Sequence, residues 1–300
     1  MWKKFVLVIS GVMLVVALWP PVGSLYALTG EDKLLAQLRG VVHWLNTAVR
    51  PQPRLAPEII PDHTNGSPYG VNTFLNEEAE IEKRDISLQL ASQAGFRFIR
   101  QEYVWEDIEI HGKGDFEDRR HEPFRSAWEK YDNIVDLAEA HDIEIIARLS
   151  NPPNWSRELP VEVTGSLAPP DDYDDFADFA AAVAGRYNGR IRYYQIWNEP
   201  NGNAEWGLHQ PVSPEEYTEL LCTAYRRIKA VNAGAVVLAG ALTPTVAINE
   251  ANMNDLIFLE RIYAAGAGEC FDVMSDQGYG LWSGALRRRL KPNVINYPHN

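Results

Sequence analysis

Hydrophobic and polar positions from Tyr69 onward follow two alternating patterns. Short runs rich in β-branched and aromatic residues predict strands, and longer stretches with apolar residues three or four apart predict helices. The predicted strands are 70–75, 96–104, 143–150, 191–199, 235–242 and 271–275. The predicted helices are 78–94, 126–141, 171–187, 214–231 and 254–265. Strict alternation of this kind predicts parallel strands joined by right-handed crossovers.

Three residues at helix ends support these boundaries. Gly95 follows the first predicted helix as a C-cap, and Ser126 is a candidate N-cap of the second. Ser213 precedes Pro214, which is the order expected for an N-cap and a first helical residue.

Two architectures compete for this alternation: a doubly wound open sheet and a (β/α)8 barrel. The chain contains neither the Gly-x-Gly-x-x-Gly motif of dinucleotide-binding folds nor a phosphate-binding Gly-x-x-x-x-Gly-Lys-Ser/Thr loop. The spacing of the strand starts is close to the unit length of a barrel of about 250 residues. The predicted fold class is therefore α/β, a (β/α)8 TIM barrel with about six of its eight βα units present.

The first 68 residues differ from this body. Residues 1–27 are predicted to be a signal peptide or membrane anchor, because Lys3 and Lys4 precede an apolar run over 5–19. That run is short for a span of about 20 residues, so both readings stay open. Residues 28–68 are predicted to contain an amphipathic helix and a proline-rich linker, and residues 69–300 the barrel domain. The bulk of the chain is then secreted or anchored at the cell surface.

Composition narrows the choice of partner. The net charge of −13 argues against a phosphate-binding surface, so no nucleic-acid partner is expected. The two cysteines, Cys222 and Cys270, are interpreted as buried thiols, with a disulfide as the minority option. The seven histidines are scattered and form no His-Glu-x-x-His motif, so neither a metal nor another cofactor is implied.

The ends of the predicted strands carry the candidate chemistry. Strand 191–199 ends in Asn198 and Glu199 and stops at Pro200. A carboxylic acid held at a strand end beside apolar rings is a good candidate for a general acid or base. Loops after other strands carry tryptophans, which could stack on sugar rings or cap the core. The candidate sugar-binding tryptophans are Trp155, Trp206 and Trp282.

The run Trp197-Asn198-Glu199-Pro200-Asn201 at a fourth strand resembles the acid/base motif of the clan A retaining glycoside hydrolases, the cellulase-like and xylosidase-like barrel families. The resemblance implies that Glu199 is general acid and then general base. It also implies that Asn198 binds the sugar 2-hydroxyl. Strict strand alternation would turn these two side chains to opposite faces. Both can serve one site only if the strand end bends or bulges.

Two further residues resemble parts of that site. Arg100 resembles the arginine placed beneath the nucleophile, although a structural salt bridge to Glu102 or Glu144 is an equal alternative. Tyr279 resembles a tyrosine that hydrogen-bonds the nucleophile. The relatives carry Ser-x-His-Pro-Tyr-Gly there, whereas this chain has Gln277 and Gly278 before the tyrosine.

The nucleophile itself has no match in this chain. The resemblance places that glutamate at the end of a seventh strand, and only six strands are predicted before Asn300. Glu102 and Glu205 lie near strand ends, but neither stands at that position. We therefore expect a C-terminally truncated fragment of a glycosidase that acts on oligo- or polysaccharide. The alternatives are a carbohydrate-binding surface protein without activity and an inactive barrel fragment.

Overall fold

The structure is a computed structural model that describes residues 34–35, 37–38, 40–42, 67–245, 247 and 249–278. The predicted leader over 1–27 and the proline-rich stretch up to residue 66 lie outside these residues. Two compact units divide the chain: residues 1–59 with 279–300, and residues 60–278. In the first unit the described positions 34–42 are helical, as the periodicity there predicts. No helix within the described ranges is long and apolar enough to cross a membrane.

The second unit is built on a sheet of five parallel strands: β1 (Gly70–Thr73), β2 (Phe98–Val104), β5 (Glu144–Ser150), β6 (Tyr193–Asn198) and β7 (Val236–Ala241). Their order in the sheet, β1-β2-β5-β6-β7, is their order in the chain. In a doubly wound sheet, the order in which successive strands are added reverses at a switch point. The uninterrupted order is that of a (β/α) barrel, so the predicted fold class is confirmed.

The predicted sixth strand takes a weaker form. Two isolated parallel bridges connect it to the region of β7, one from Leu238 to Val273 and one from Leu242 to Asp276. The segment 271–276 therefore continues the parallel order without forming a regular ladder.

Helices follow the strands as expected. The described helices of this unit are α1 (Ile81–Gln93), α2 (Trp105–Ile108), α3 (Glu129–Ala140), α4 (Val161–Thr164), α5 (Tyr173–Arg186), α6 (Asn203–Trp206), α7 (Pro214–Val231) and α8 (Asp255–Ala264). Two short 3-10 turns cover Asn154–Ser156 and Ala267–Glu269, and a hairpin pairs β3 (Glu117–Asp118) with β4 (Arg125–Ser126). The hairpin, the 3-10 turns and the four-residue helices were not predicted, because segments this short show no periodicity.

Two of the three helix-end predictions are confirmed. Ser213 caps α7 by accepting a hydrogen bond from the Glu216 amide, and Gly95 adopts a φ of +86° just after α1. The third is wrong, because Ser126 lies in β4 and Trp128 occupies the N-cap position of α3. The Ser126 hydroxyl accepts from the Trp128 amide instead.

Apolar residues cover both faces of the sheet. The main core lies between the sheet and the helices and contains the alternate positions Tyr194 and Ile196 of β6. On the opposite face, Tyr193 and its neighbours Val236 and Leu238 form a second, smaller cluster. That inner face becomes polar toward the carboxyl ends of the strands, where the candidate site lies.

The cysteine prediction is wrong. Cys222 of α7 and Cys270, which follows the 3-10 turn 267–269, form a disulfide with their Cα atoms 4.7 Å apart. They are 48 residues apart in the chain, and their spacing alone did not indicate that α7 packs against this turn.

Candidate active site

The carboxyl end of β6 turns sharply without an inserted residue. Trp197 and Glu199 have positive φ values of 71° and 41°. Pairing with β7 keeps one register across the turn, from Ile196 opposite Ala239 to Asn198 opposite Ala241. A left-handed conformation costs a residue other than glycine about 1–3 kcal/mol and is typical of functional sites. The condition for Asn198 and Glu199 to serve one site, a bend or a bulge at this strand end, is met here by a bend.

The turn changes which face Asn198 occupies. Arg100 donates from Nε to Gln195 Oε1 at 2.6 Å and from Nη2 to Asn198 Oδ1 at 2.7 Å. Residues three apart on a regular strand point to opposite faces. Because Trp197 is left-handed, Asn198 instead joins Gln195 on the inner face.

The Trp197 side chain points to the opposite face of the sheet, into the main core. Its ring packs edge-on against Phe176 and Trp206, with centroids 5.6 Å apart in each pair, and the side chain is 1% exposed. Glu199 follows at the strand end, where its amide donates to Ala241 O at 2.9 Å and its side chain is half-buried. The carboxylate lies close enough to Arg100 and Glu205 to shift the pKa of both groups.

The Asn198 amide has partners on both sides. Its Nδ2 donates to Glu205 Oε1 at 2.8 Å, and its Oδ1 accepts from Gln277 Nε2 at 3.4 Å as well as from Arg100. Gln277 stands where the resembled motif has histidine, and the contact places it in the site. Asn198 itself is 5% exposed.

The ion pair between Glu102 and Arg148 lies beside the hydrogen bonds of Asn198. Glu102 of β2 forms an ion pair with Arg148 of the neighbouring strand β5, and it accepts a hydrogen bond from the Ser150 hydroxyl at 2.9 Å. Within the described part of the chain, Glu102 pairs with Arg148 and Glu144 pairs with Arg97, so Arg100 does not form the salt bridge that the structural alternative required.

Burial controls the charges in this cluster. The pKa of Arg100 is lowered to about 10, chiefly by burial and then by the positive charge of Arg148, against the opposing effect of the nearby carboxylates. Burial also raises the pKa of Glu205. The carboxylates of Glu199 and Glu102 act in the same direction, whereas Arg148 and the Asn198 hydrogen bond oppose the rise. The described residues contain no group of three or more acidic, histidine or cysteine side chains arranged to hold a metal ion.

The predicted tryptophans do not form one sugar-stacking surface. Trp206 is 0% exposed and packs against Trp197 and Tyr217, so the structure places it in the core rather than in a groove. Trp155 is half-buried, donates from Nε1 to Glu109 O at 2.8 Å and meets Trp105 edge-on. Trp282 lies outside the described residues, as does Tyr279.

Sequence reasoning did not identify several members of this cluster. Gln195 and Arg148 both contact site residues, and Glu205 was considered only as a substitute nucleophile. Register supplies the missing signal, since Arg148 lies directly opposite Glu102 in the parallel pair β2–β5.

A cavity of about 460 Å³ lies elsewhere, between the start of α1, the β3–β4 hairpin and the start of α3. Ion pairs join its charged residues, including Arg120 and Lys130 to Asp107. It is separate from the strand-end cluster, where the carboxylates and Asn198 meet.

The fold and the site define a (β/α)-barrel protein with acid, amide and guanidinium groups at the carboxyl ends of its strands. The family model for cellulase, glycosyl hydrolase family 5, matches residues 62–300, and the chain belongs to this family. No curated protein sequence matches the chain.

Solved structures support the same fold. A monomeric beta-xylosidase from Caulobacter crescentus CB15 is similar at 19% identity and a TM-score of 0.52, covering 70% of this chain and 41% of that one. The GH39 enzyme from Xanthomonas axonopodis pv. citri has 19% identity and a TM-score of 0.51, covering 70% and 40%. The chain thus spans about two-fifths of the length of these two proteins.

Proposed function

We propose that this chain supplies the general acid/base of a retaining glycoside hydrolase that cleaves O-glycosidic bonds in a β-linked glycan. The observation that carries the proposal is the left-handed turn at the end of β6. It brings Asn198 and Glu199 together at the carboxyl edge of a parallel sheet, where barrel active sites lie. Family membership and the neighbouring Arg100 support the same assignment.

In the proposed mechanism, Glu199 protonates the glycosidic oxygen while a second carboxylate attacks the anomeric carbon. The bond to the leaving group breaks, and a covalent glycosyl-enzyme forms. Water then attacks the anomeric carbon, gives its proton to Glu199 and releases the enzyme carboxylate. Asn198 would hydrogen-bond the sugar 2-hydroxyl, a contact that strengthens in the transition state. The nucleophile is assigned to the glutamate that the resembled families carry on their seventh strand, which has no match in this chain.

The first test uses the protein in a form that includes the strand bearing the nucleophile, and it measures release of reducing ends from cellulose, xylan and mannan. Turnover by the wild type should fall about 10²–10⁴-fold in Glu199→Gln, because the amide cannot transfer the proton. Glu219→Gln is the matched control, because Glu219 is an exposed residue of α7. Equal turnover in Glu199→Gln and the wild type would refute the assignment. Glycan binding without turnover by the wild type would favour the non-catalytic binding protein.

A second measurement isolates the proton transfer. Aryl glycosides with strongly acidic leaving groups need little protonation, so Glu199→Gln should lose much less formation of the glycosyl-enzyme on them than on a glycan. An equal loss on both substrates would show that Glu199 acts on binding or folding instead.

We also propose that the chain functions outside the cytoplasm, secreted or attached through its N-terminal segment. The Cys222–Cys270 disulfide supports this, because disulfides persist in oxidising compartments. Cell fractionation combined with thiol labelling tests it. The proposal predicts an extracytoplasmic protein without free thiols, and a reduced cytoplasmic protein would contradict it.

A further inference from the structure

Two consecutive residues of β6 donate hydrogen bonds to Glu205, one to its backbone carbonyl and one to its side chain. Trp197 Nε1 donates to the Glu205 carbonyl oxygen at 2.7 Å, and Asn198 Nδ2 donates to the Glu205 side-chain Oε1 at 2.8 Å. The next residue, Trp206, is fully buried against Trp197. A four-residue helix such as α6 is too short to be stable alone. These contacts therefore determine where the Glu205 carboxylate lies.

The charges around Asn198 select one orientation of its amide. Its carbonyl oxygen faces the Arg100 guanidinium, and its NH₂ group faces the Glu205 carboxylate. If the amide turned over, two donors would meet at Arg100 and two acceptors at Glu205. Both contacts would be repulsive, and the two hydrogen bonds they replace involve charged groups and are therefore strong.

The surroundings of Glu205 disfavour the ionised form of its carboxylate. The ionisable groups that face it are Arg100 and Glu102 of β2, Arg148 of β5 and Glu199 at the end of β6. Two of these four are carboxylates, and Glu205 itself is half-buried. Carboxylates kept together at such a cost are typical of functional sites.

We infer that Glu205 is a positioning residue that fixes the Asn198 amide and directs its second N–H toward a sugar hydroxyl. The sugar contact rests on the proposed function, whereas the hydrogen bond between Glu205 and Asn198 does not. Glutamine at position 205 keeps an acceptor oxygen and removes the charge. Alanine removes both, so the two variants separate the hydrogen bond from the carboxylate.

NMR of the full chain with isotopically labelled asparagine side chains tests the positioning directly. The Asn198 signal is identified by its loss in Asn198→Asp. Its side-chain amide protons should shift as Glu205 titrates, and this titration step should vanish in Glu205→Gln but persist in the control Glu219→Gln. If ionisation of Glu199 also shifts the Asn198 signal, that part of the titration should be lost in the Glu199→Gln variant. An unchanged titration in Glu205→Gln would overturn the inference.

Kinetics then test the consequence for the reaction. Glu205→Ala should lower kcat/KM about tenfold or more, as expected for losing one charge-assisted hydrogen bond, and Glu205→Gln should stay within about threefold of the wild type. The loss should fall mainly on kcat, because the sugar contact strengthens in the transition state. Full activity in Glu205→Ala would overturn the inference. Inactivity of the form that includes the nucleophile strand would count against the proposed function, and the NMR result would still decide the positioning.

Discussion

Gly240 of β7 leaves no room for an added methyl group beside the site. A Cβ at this position would lie 2.8 Å from Ile196 O, 3.1 Å from Tyr217 Oη and 3.3 Å from Pro200 Cδ. The Tyr217 hydroxyl donates to Ile196 O at 3.1 Å and accepts from the Gly240 amide at 2.6 Å. The methyl group of Gly240→Ala would therefore enter a buried hydrogen-bonded junction directly before the left-handed turn.

The expected cost follows from these contacts. Overpacking a buried site costs about 1–3 kcal/mol, and weakening one buried hydrogen bond costs about 0.5–1.5 kcal/mol. Gly240→Ala should therefore lower the free energy of unfolding by about 2–4 kcal/mol. For a domain of this size, that corresponds to a fall in Tm of about 5–15 °C.

Denaturant and thermal unfolding, followed by circular dichroism, measure this change. The matched control is Gly185→Ala in α5, where an added Cβ meets nothing within 4 Å. Replacing an exposed helical glycine with alanine should be neutral or stabilising by up to about 1 kcal/mol. If Gly240→Ala unfolds within about 0.5 kcal/mol of the wild type, the close packing of β7 against the turn is not what holds Asn198 and Glu199 in place.

Two further predictions concern stability. Reducing the Cys222–Cys270 bond, which closes a separation of 48 residues, should cost about 4 kcal/mol on the chain-entropy account. Unfolding with and without reductant measures this, and a Cys222→Ser/Cys270→Ser variant should not respond; an unchanged wild-type midpoint would contradict the prediction. Burial raises the pKa of Glu205 in the folded state. Protonation of Glu205 therefore stabilises the fold below its unfolded pKa of about 4.3, and this stabilisation is lost as the pH rises through the folded pKa. The unfolding free energy of Glu205→Gln minus that of the wild type should therefore be more favourable to the variant near neutral pH than in acid. A difference that does not change with pH would contradict the raised pKa of Glu205.

Local sequence determined the elements and their order. The change between strand-like and helix-like periodicity identified the regular strands and the long helices, because each pattern reports which side chains share a face. Pro200 placed the end of β6, and Ser213 with Pro214 placed the start of α7, through backbone chemistry that needs no distant partner. The same local information placed Asn198 and Glu199 at a strand end.

Only the tertiary structure decided how these residues meet. Gly240 on the neighbouring strand leaves space for Ile196 O and Pro200, which flank the left-handed turn at Trp197, and the sequence around residue 197 contains no sign of that space. The contact of Asn198 with Arg100 joins residues 98 positions apart, and the disulfide joins Cys222 to Cys270 across 48. Local periodicity reports neighbours within a few residues, whereas these contacts arise from strand register and helix packing, which are properties of the whole sheet.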